Sequence, residues 1–193
     1  MTPVRFDPVD HRYYVGDEEW PHVTGLLKSW GLVDDTYYTE ESAVRGQMVH
    51  RACTDYDLGV LDVTGLSRDI RPYVEAYIDA MLVVPHEWDA IEEVAAHPVH
   101  RFVGRPDRVG RVFGMRGVLE IKSTVQAERA HEVQTSLQGI LVSHDDPLPL
   151  REWKRWALYV RPNGKWKLVP HENKRDYDDA LRRLAAGTHR RQR

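Results

Sequence analysis

The stretch GRPDRVGRVFGMRGVLEIKST, residues 104–124, carries two carboxylates and an ammonium at a spacing suited to work on a phosphate ester. Side chains on a strand alternate between faces, so Glu120 and Lys122 share one face, roughly 6.5 Å apart along the chain. Leu119 and Ile121 then point into the opposite layer. Asp107, read as the end of the preceding strand, reaches the same face if the two strands pair. Phosphodiester hydrolysis uses such a set. Hard oxygen ligands hold Mg²⁺ or Mn²⁺ beside the scissile phosphate, where the ion stabilises developing charge and acidifies a bound water. A lysine next to that water orients it or helps deprotonate it. Glu-x-Lys is also common on ordinary strands, where it is a surface ion pair and Asp107 would be a turn residue.

Two predicted helices decide how that strand is framed. From 40 to 57, Val44, Met48, Ala52 and Tyr56 recur at i, i+4, with Val49 and Cys53 beside them. At about 100° per residue, Arg45 falls inside this apolar stripe and His50 at its edge. A buried arginine needs a partner, which a phosphate or an acidic site would supply. From 126 to 142, Ala130, Val133, Leu137, Ile140 and Leu141 share one face, and Gln134 lies among them. A lone amide there needs a partner too. Each helix turns a polar group toward the strand that holds Glu120 and Lys122.

The remaining pattern is interleaved. RYYV, a turn at Gly16-Asp17 and a return to Trp20 predict a hairpin, followed by a short helix capped by Thr24 and running through Trp30. A helix is expected over 70–84, strands over 90–99, 101–109 and 116–123 with turn residues Gly110 and Gly114, and a strand over 153–161. Asn163-Gly164 predicts a hairpin into 165–169, and a last helix covers 174–186. The expected fold is α/β, a mixed central β-sheet flanked by helices, in one domain over 1–193. Residues 1–35 form its N-terminal hairpin and short helix, and 171–193 its C-terminal helix and basic tail.

Composition narrows the class. The 193 residues are 41% apolar and 30% charged, and the apolar run from Ala80 stops at Pro85, so no membrane span is expected. The opening MTPVRFDPVDHR has no signal pattern, which predicts the cytoplasm. Cys53 is the single cysteine, which excludes a disulfide within the chain and a four-cysteine iron–sulfur cluster. His97-Pro98-Val99-His100 has zinc-like spacing, but the cysteine count and the proline speak against it. The other histidines outside the site pattern read as surface or satisfied residues, and Trp153, Trp156 and Trp166 as core. Residues 1–150 hold 14 basic and 25 acidic side chains, whereas 151–193 hold 13 and 5. A basic segment on an acidic body suits either nucleic acid or a solvated tail. With 21 arginines against 6 lysines, a lysine inside the motif suggests that an ammonium is required there.

Asp107 followed by Glu120-Ile121-Lys122 resembles the D…(D/E)-x-K core of the PD-(D/E)XK nuclease superfamily. Arg45-Gly46-x-x-Val49-His50, the opening HRYYVGDEEWPHVTGLL and Gln134 are similar to motifs of its RecB-like and phage-exonuclease branch, in the same order. The resemblance implies a restriction-endonuclease-like core and a metal-dependent DNA exonuclease, phage- or prophage-type, serving recombination, repair or processing. The alternatives are a structure-specific endonuclease on the same fold and a catalytically decayed nucleic-acid-binding module. It implies Asp107, Glu120 and the Ile121 carbonyl as metal ligands for one or two Mg²⁺ or Mn²⁺ ions, with His50 as a further ligand. Lys122 would be the water-activating group, Gln134 would position it or the DNA, and Arg45 would contact a phosphate. Glu92 or Glu93 stands where many phage members have another glutamate. Gln138 replaces the tyrosine of the branch's Q-x-x-x-Y motif, and His22 a serine near the start. The implied partner is DNA, with room for a homo-oligomer and for a recombination partner protein. CRISPR-associated relatives carry four cluster cysteines, so that subfamily is excluded.

Overall fold

The computed structural model describes residues 3–10, 12–33, 39–124 and 129–191, with side chains to 187. His11, residues 126–128 of the expected helix and the side chains of the basic tail lie outside these. The chain opens with strands β1 (Val4–Asp7), β2 (Arg12–Val15) and β3 (Glu18–Trp20), then helices α1 (Val23–Ser29), α2 (Glu40–Asp57) and α3 (Arg71–Val83). Strands β4 (His86–Ile91), β5 (Ala95–His97), β6 (Phe102–Gly104), β7 (Arg108–Val112) and β8 (Met115–Lys122) follow. Helix α4 (Arg129–Ser143) leads to β9 (Lys154–Val160), β10 (Trp166–Pro170) and α5 (Arg175–Arg191).

The central sheet has the order β10-β9-β8-β7-β4. Its β8–β9 pair is parallel and joined by α4, as expected of a strand–helix–strand unit, while the other pairs are antiparallel. This is a mixed α/β fold with helices on both faces of a mixed sheet. On one face Leu119, Ile121 and Leu158 pack against Val49 and Cys53 of α2 and Tyr73 and Tyr77 of α3. Across the other, Val133, Leu137 and Leu141 of α4 meet Tyr177 and Leu184 of α5 and Leu27 of α1. From Gly117 to Ile121, where β8 is buried, it reads in sequence as an apolar run broken by Glu120. No helix among the described residues is long and apolar enough to cross a membrane.

Local chemistry explains where elements begin. Thr39 caps α2: its Oγ1 accepts the Ser42 N–H, and Glu40 and Glu41 sit in the first turn, where the helix dipole favours them. α3 carries Pro72 in its first turn and stops just before Pro85. At α1 the cap is His22, whose Nδ1 accepts the Gly25 N–H, rather than Thr24, which lies inside the helix.

Several expected boundaries move. The strand expected over 90–99 is cut at Glu92 (φ 53°), and that over 101–109 loses its first residue to Arg101 (φ 51°) and parts again at Arg105-Pro106-Asp107. Positive φ breaks the extended ladder, so β4 and β7 join the central sheet while β5 and β6 form a separate hairpin. Asp107 thus precedes a strand instead of ending one. Gly110 lies within β7 rather than in a turn: a Cβ there would come 2.0 Å from the Glu87 carbonyl oxygen, beside the irregular Trp88–Ala90 register of β4. The α2 stripe is also rotated, with Val49, Ala52 and Cys53 buried and Val44 and Met48 exposed. The hairpin gains β1 as a third strand, and this small sheet packs Tyr13 and Trp20 onto Val103 of β6.

Candidate metal centre

Three elements converge at the end of β8. His50 projects from α2, Glu92 follows β4, and Asp107 precedes β7. The His50 Nδ1 lies 3.2 Å from Asp107 Oδ1 and 3.7 Å from Glu92 Oε1. One ligand atom from each of the three falls within 4.8 Å of the others. Asp107 is nearly enclosed, and its Oδ2 accepts the Ile121 N–H at 2.6 Å. This bond ties the loop before β7 to the C-terminal end of β8. Glu92 is placed by its left-handed backbone, and its N–H donates to the Asp107 carbonyl at 3.1 Å. Its other oxygen pairs with Arg105 Nε at 2.9 Å. Glu93 is exposed and takes no part, so of the two adjacent glutamates Glu92 is the one at the site. Strain at a non-glycine residue persists where the surroundings over-determine it, and Glu92 is so held.

Glu120 faces α4. Its Oε1 accepts Lys122 Nζ at 3.0 Å and Gln134 Nε2 at 2.6 Å, and its Oε2 accepts Gln138 Nε2 at 2.5 Å. Lys122 Nζ also donates to Gln134 Oε1 at 2.8 Å. Gln134 therefore bridges the carboxylate and the ammonium, which is the partner its place on the packed face required. Gln138 turns inward to hold Glu120 and is buried, with its Oε1 unpartnered among the described residues. Ile121 contributes its N–H, while its side chain lies in the core beneath α3.

Arg45 is half-buried, its guanidinium 6.0 Å from the centre of the Tyr73 ring. Its Nε is buried with no partner among the described residues, so a capacity to bind an anion remains. The structure brings together His50, Asp107, Glu120, Lys122 and Gln134 as the sequence predicts. Of the positions the sequence left open, it sets Glu92 beside His50 and Asp107 and Gln138 against Glu120, and beneath them lies a buried Arg108–Asp57 pair that no motif suggested.

The charges are unevenly placed. Burial alone would lower the His50 pKa, but the carboxylates of Asp107, Glu92 and Glu120 outweigh it and raise it to about 10. Burial pushes Asp107 up, yet His50, Lys122 and the Ile121 N–H together hold it below the ordinary carboxylate range. Glu120 goes the other way: burial and the neighbouring Asp107 raise it against the pull of Lys122 and His50. The His50 imidazolium and the Lys122 ammonium together supply positive charge among the acids.

One imidazole and a set of carboxylates fit a divalent ion that accepts mixed nitrogen and oxygen ligands, Mn²⁺ ahead of Mg²⁺. Because His50 must be neutral to bind it, loading near pH 7 should expel about one proton. Apparent Mn²⁺ affinity should then rise roughly tenfold per pH unit up to the His50 pKa of about 10. The metal-free fold should behave oppositely. A histidine raised above its unfolded value near 6.5 stabilises fully below that pH and loses the benefit as pH climbs toward about 10. Calorimetry in buffers of different ionisation enthalpy measures the proton, and melting in EDTA from pH 6.5 to 10 measures the stability. A buffer-independent binding enthalpy would refute the assignment.

Neither a scan against protein-family models nor a search of curated proteins finds a match for this chain.

Proposed function

We propose that this chain is a metal-dependent DNA nuclease of the PD-(D/E)XK type, built on a restriction-endonuclease-like core and belonging with the RecB-like and phage-type exonucleases. The reading rests on one observation above the rest. His50, Glu92 and Asp107 meet at the same strand end where Lys122 stands hydrogen-bonded to Glu120 and Gln134.

His50, Glu92 and Asp107 would hold the ion, with Glu120 and the Ile121 carbonyl beside them. The bound ion would neutralise charge on the attacked phosphate and acidify the attacking water. Lys122, kept in place by Gln134, would orient that water, and after releasing one proton to solvent its neutral amine would accept the proton of the attacking water. Arg45, half-buried on α2, would turn its guanidinium toward a phosphate oxygen. DNA processing, recombination or repair is the proposed setting, with a homo-oligomer and a recombination partner protein compatible with it.

The test is a cleavage panel of linear duplex, single-stranded and closed circular DNA, each with Mg²⁺, Mn²⁺ or EDTA. Loss of linear DNA in Mn²⁺ with circles left intact supports the exonuclease. Cut circles turn the reading to an endonuclease, and EDTA-insensitive binding without cleavage turns it to a decayed binding module. His50→Ala should depress cleavage most at low Mn²⁺ concentration. Full activity with unchanged metal dependence in that variant would make His50 a packing residue.

A further inference from the structure

Arg108 lies directly behind the three converging side chains and is wholly enclosed. Its Nη1 donates to the Asp107 carbonyl at 2.6 Å, the same oxygen that accepts the Glu92 N–H. Its Nε donates to Asp57 Oδ2 at 2.6 Å. Asp57 closes α2, seven residues beyond His50, which is about 10 Å along the helix axis. Tyr77 of α3 donates to the same Asp57 oxygen at 2.5 Å. One guanidinium thereby touches two of the three elements that carry His50, Glu92 and Asp107, and is linked to the third through the oxygen it shares with the Glu92 N–H. It holds α2 through Asp57, the turn after β4 through the shared carbonyl, and the start of β7 directly.

Stability does not account for this pair. Burying two charges costs desolvation that their attraction often fails to repay, and well-packed apolar residues frequently serve as well or better. Arg108 also leaves its Nη2 buried and unpartnered among the described residues, a further cost. An apolar pair could fill the volume, but it could not donate to the Asp107 carbonyl or tie α2 to it.

We propose that Arg108 and Asp57 are positioning residues whose buried pair preforms the His50–Glu92–Asp107 site. The assignment rests on reading those three residues as a metal centre. Neither Arg108 nor Asp57 is a ligand in it. They act through backbone and helix placement, and loss of such outer partners typically weakens metal binding about 10–100-fold.

The test uses the intact chain. Mn²⁺ is titrated calorimetrically against native protein, against Arg108→Met combined with Asp57→Leu, and against Arg108→Lys, with thermal melts in EDTA alongside. The double variant leaves the buried Tyr77 hydroxyl without its acceptor and should melt below native while still folding, yet it should bind Mn²⁺ about 10–100-fold more weakly. Arg108→Lys keeps a charge facing Asp57 but lacks the planar fork that reaches two acceptors at once, and it should bind at least tenfold more weakly. If the double variant does not fold, the lysine variant decides. Folded variants that bind Mn²⁺ within twofold of native overturn the positioning role while leaving the metal centre standing. Native protein that binds no Mn²⁺ overturns the metal centre itself, and the positioning role with it.

Discussion

Lys122→Ala should lose cleavage by about 10²–10⁴ in rate while folding normally, because proton transfer by a placed side chain is worth that much. The ammonium touches Glu120 and Gln134 and stands at the edge of the site, partly open to solvent, so its removal leaves no cavity in the core. Lys122→Arg is the more telling change. A guanidinium keeps the charge but does not give up a proton near neutral pH, so this variant should be nearly as inactive as alanine. Single-turnover rates with Mn²⁺ saturating separate the two roles. Near-native turnover in Lys122→Arg would leave the lysine an electrostatic part and remove it from proton transfer.

Asp107→Ala and Glu120→Gln should both abolish metal-dependent cleavage, and they should part company in stability. The sequence alone suggests that deleting either of two crowded carboxylates costs little, since like charges repel. The structure separates them. Asp107 Oδ2 is the acceptor for the buried Ile121 N–H, so its loss strands a backbone donor at a cost of about 1–3 kcal/mol. For a chain of this size that is a fall in Tm of about 2–12 °C. Glu120 is a carboxyl whose folded pKa lies above its unfolded value, so its charge weighs against the fold once pH exceeds about 4.5. An amide of the same shape removes the charge, and the unpartnered Gln138 Oε1 becomes available to its NH₂ group. Melting in EDTA at pH 7 should show Asp107→Ala lowered and Glu120→Gln level with native or above it. Equal losses in the two would refute the asymmetry.

Much of the site was legible because its residues break their own patterns. Gln134 interrupts an apolar face, Glu120 interrupts a buried strand, and His50 edges a packed helix, so each announces a need for a partner. Arg108 gave no such sign. It sits in a run with Arg101, Arg105, Arg111 and Arg116 that resembles a solvated face, and only the tertiary contact with Asp57, 51 positions earlier, distinguishes it. Glu92 and Glu93 could not be separated without the backbone angle that turns one inward. Period and apolar content predicted the bounds of α2 well, yet they placed Val44 and Met48 inside. A helix of weak amphipathicity has no single face until its neighbours choose one, and here α3 and β8 chose the side bearing Val49 and Cys53. The 90–109 strands failed for a related reason: left-handed residues at Glu92 and Arg101 are backbone events that side-chain alternation does not report.

The docking of the three-stranded N-terminal sheet onto β6 has a consequence for how the chain emerges from the ribosome. Tyr13 and Trp20 are translated before Val103, the residue that covers them, which lies more than 80 positions downstream. At about 5–20 residues per second, the aromatic face of that sheet waits roughly 4–17 s for its cover. Until then its apolar side and its strand edges stay uncovered, open to shielding by a chaperone or to pairing with a neighbouring nascent chain. Arg105, Asp107 and Arg108 follow Val103 within five residues. The moment that seals the N-terminal sheet is therefore also the moment at which the centre of the acidic cluster first exists as a chain.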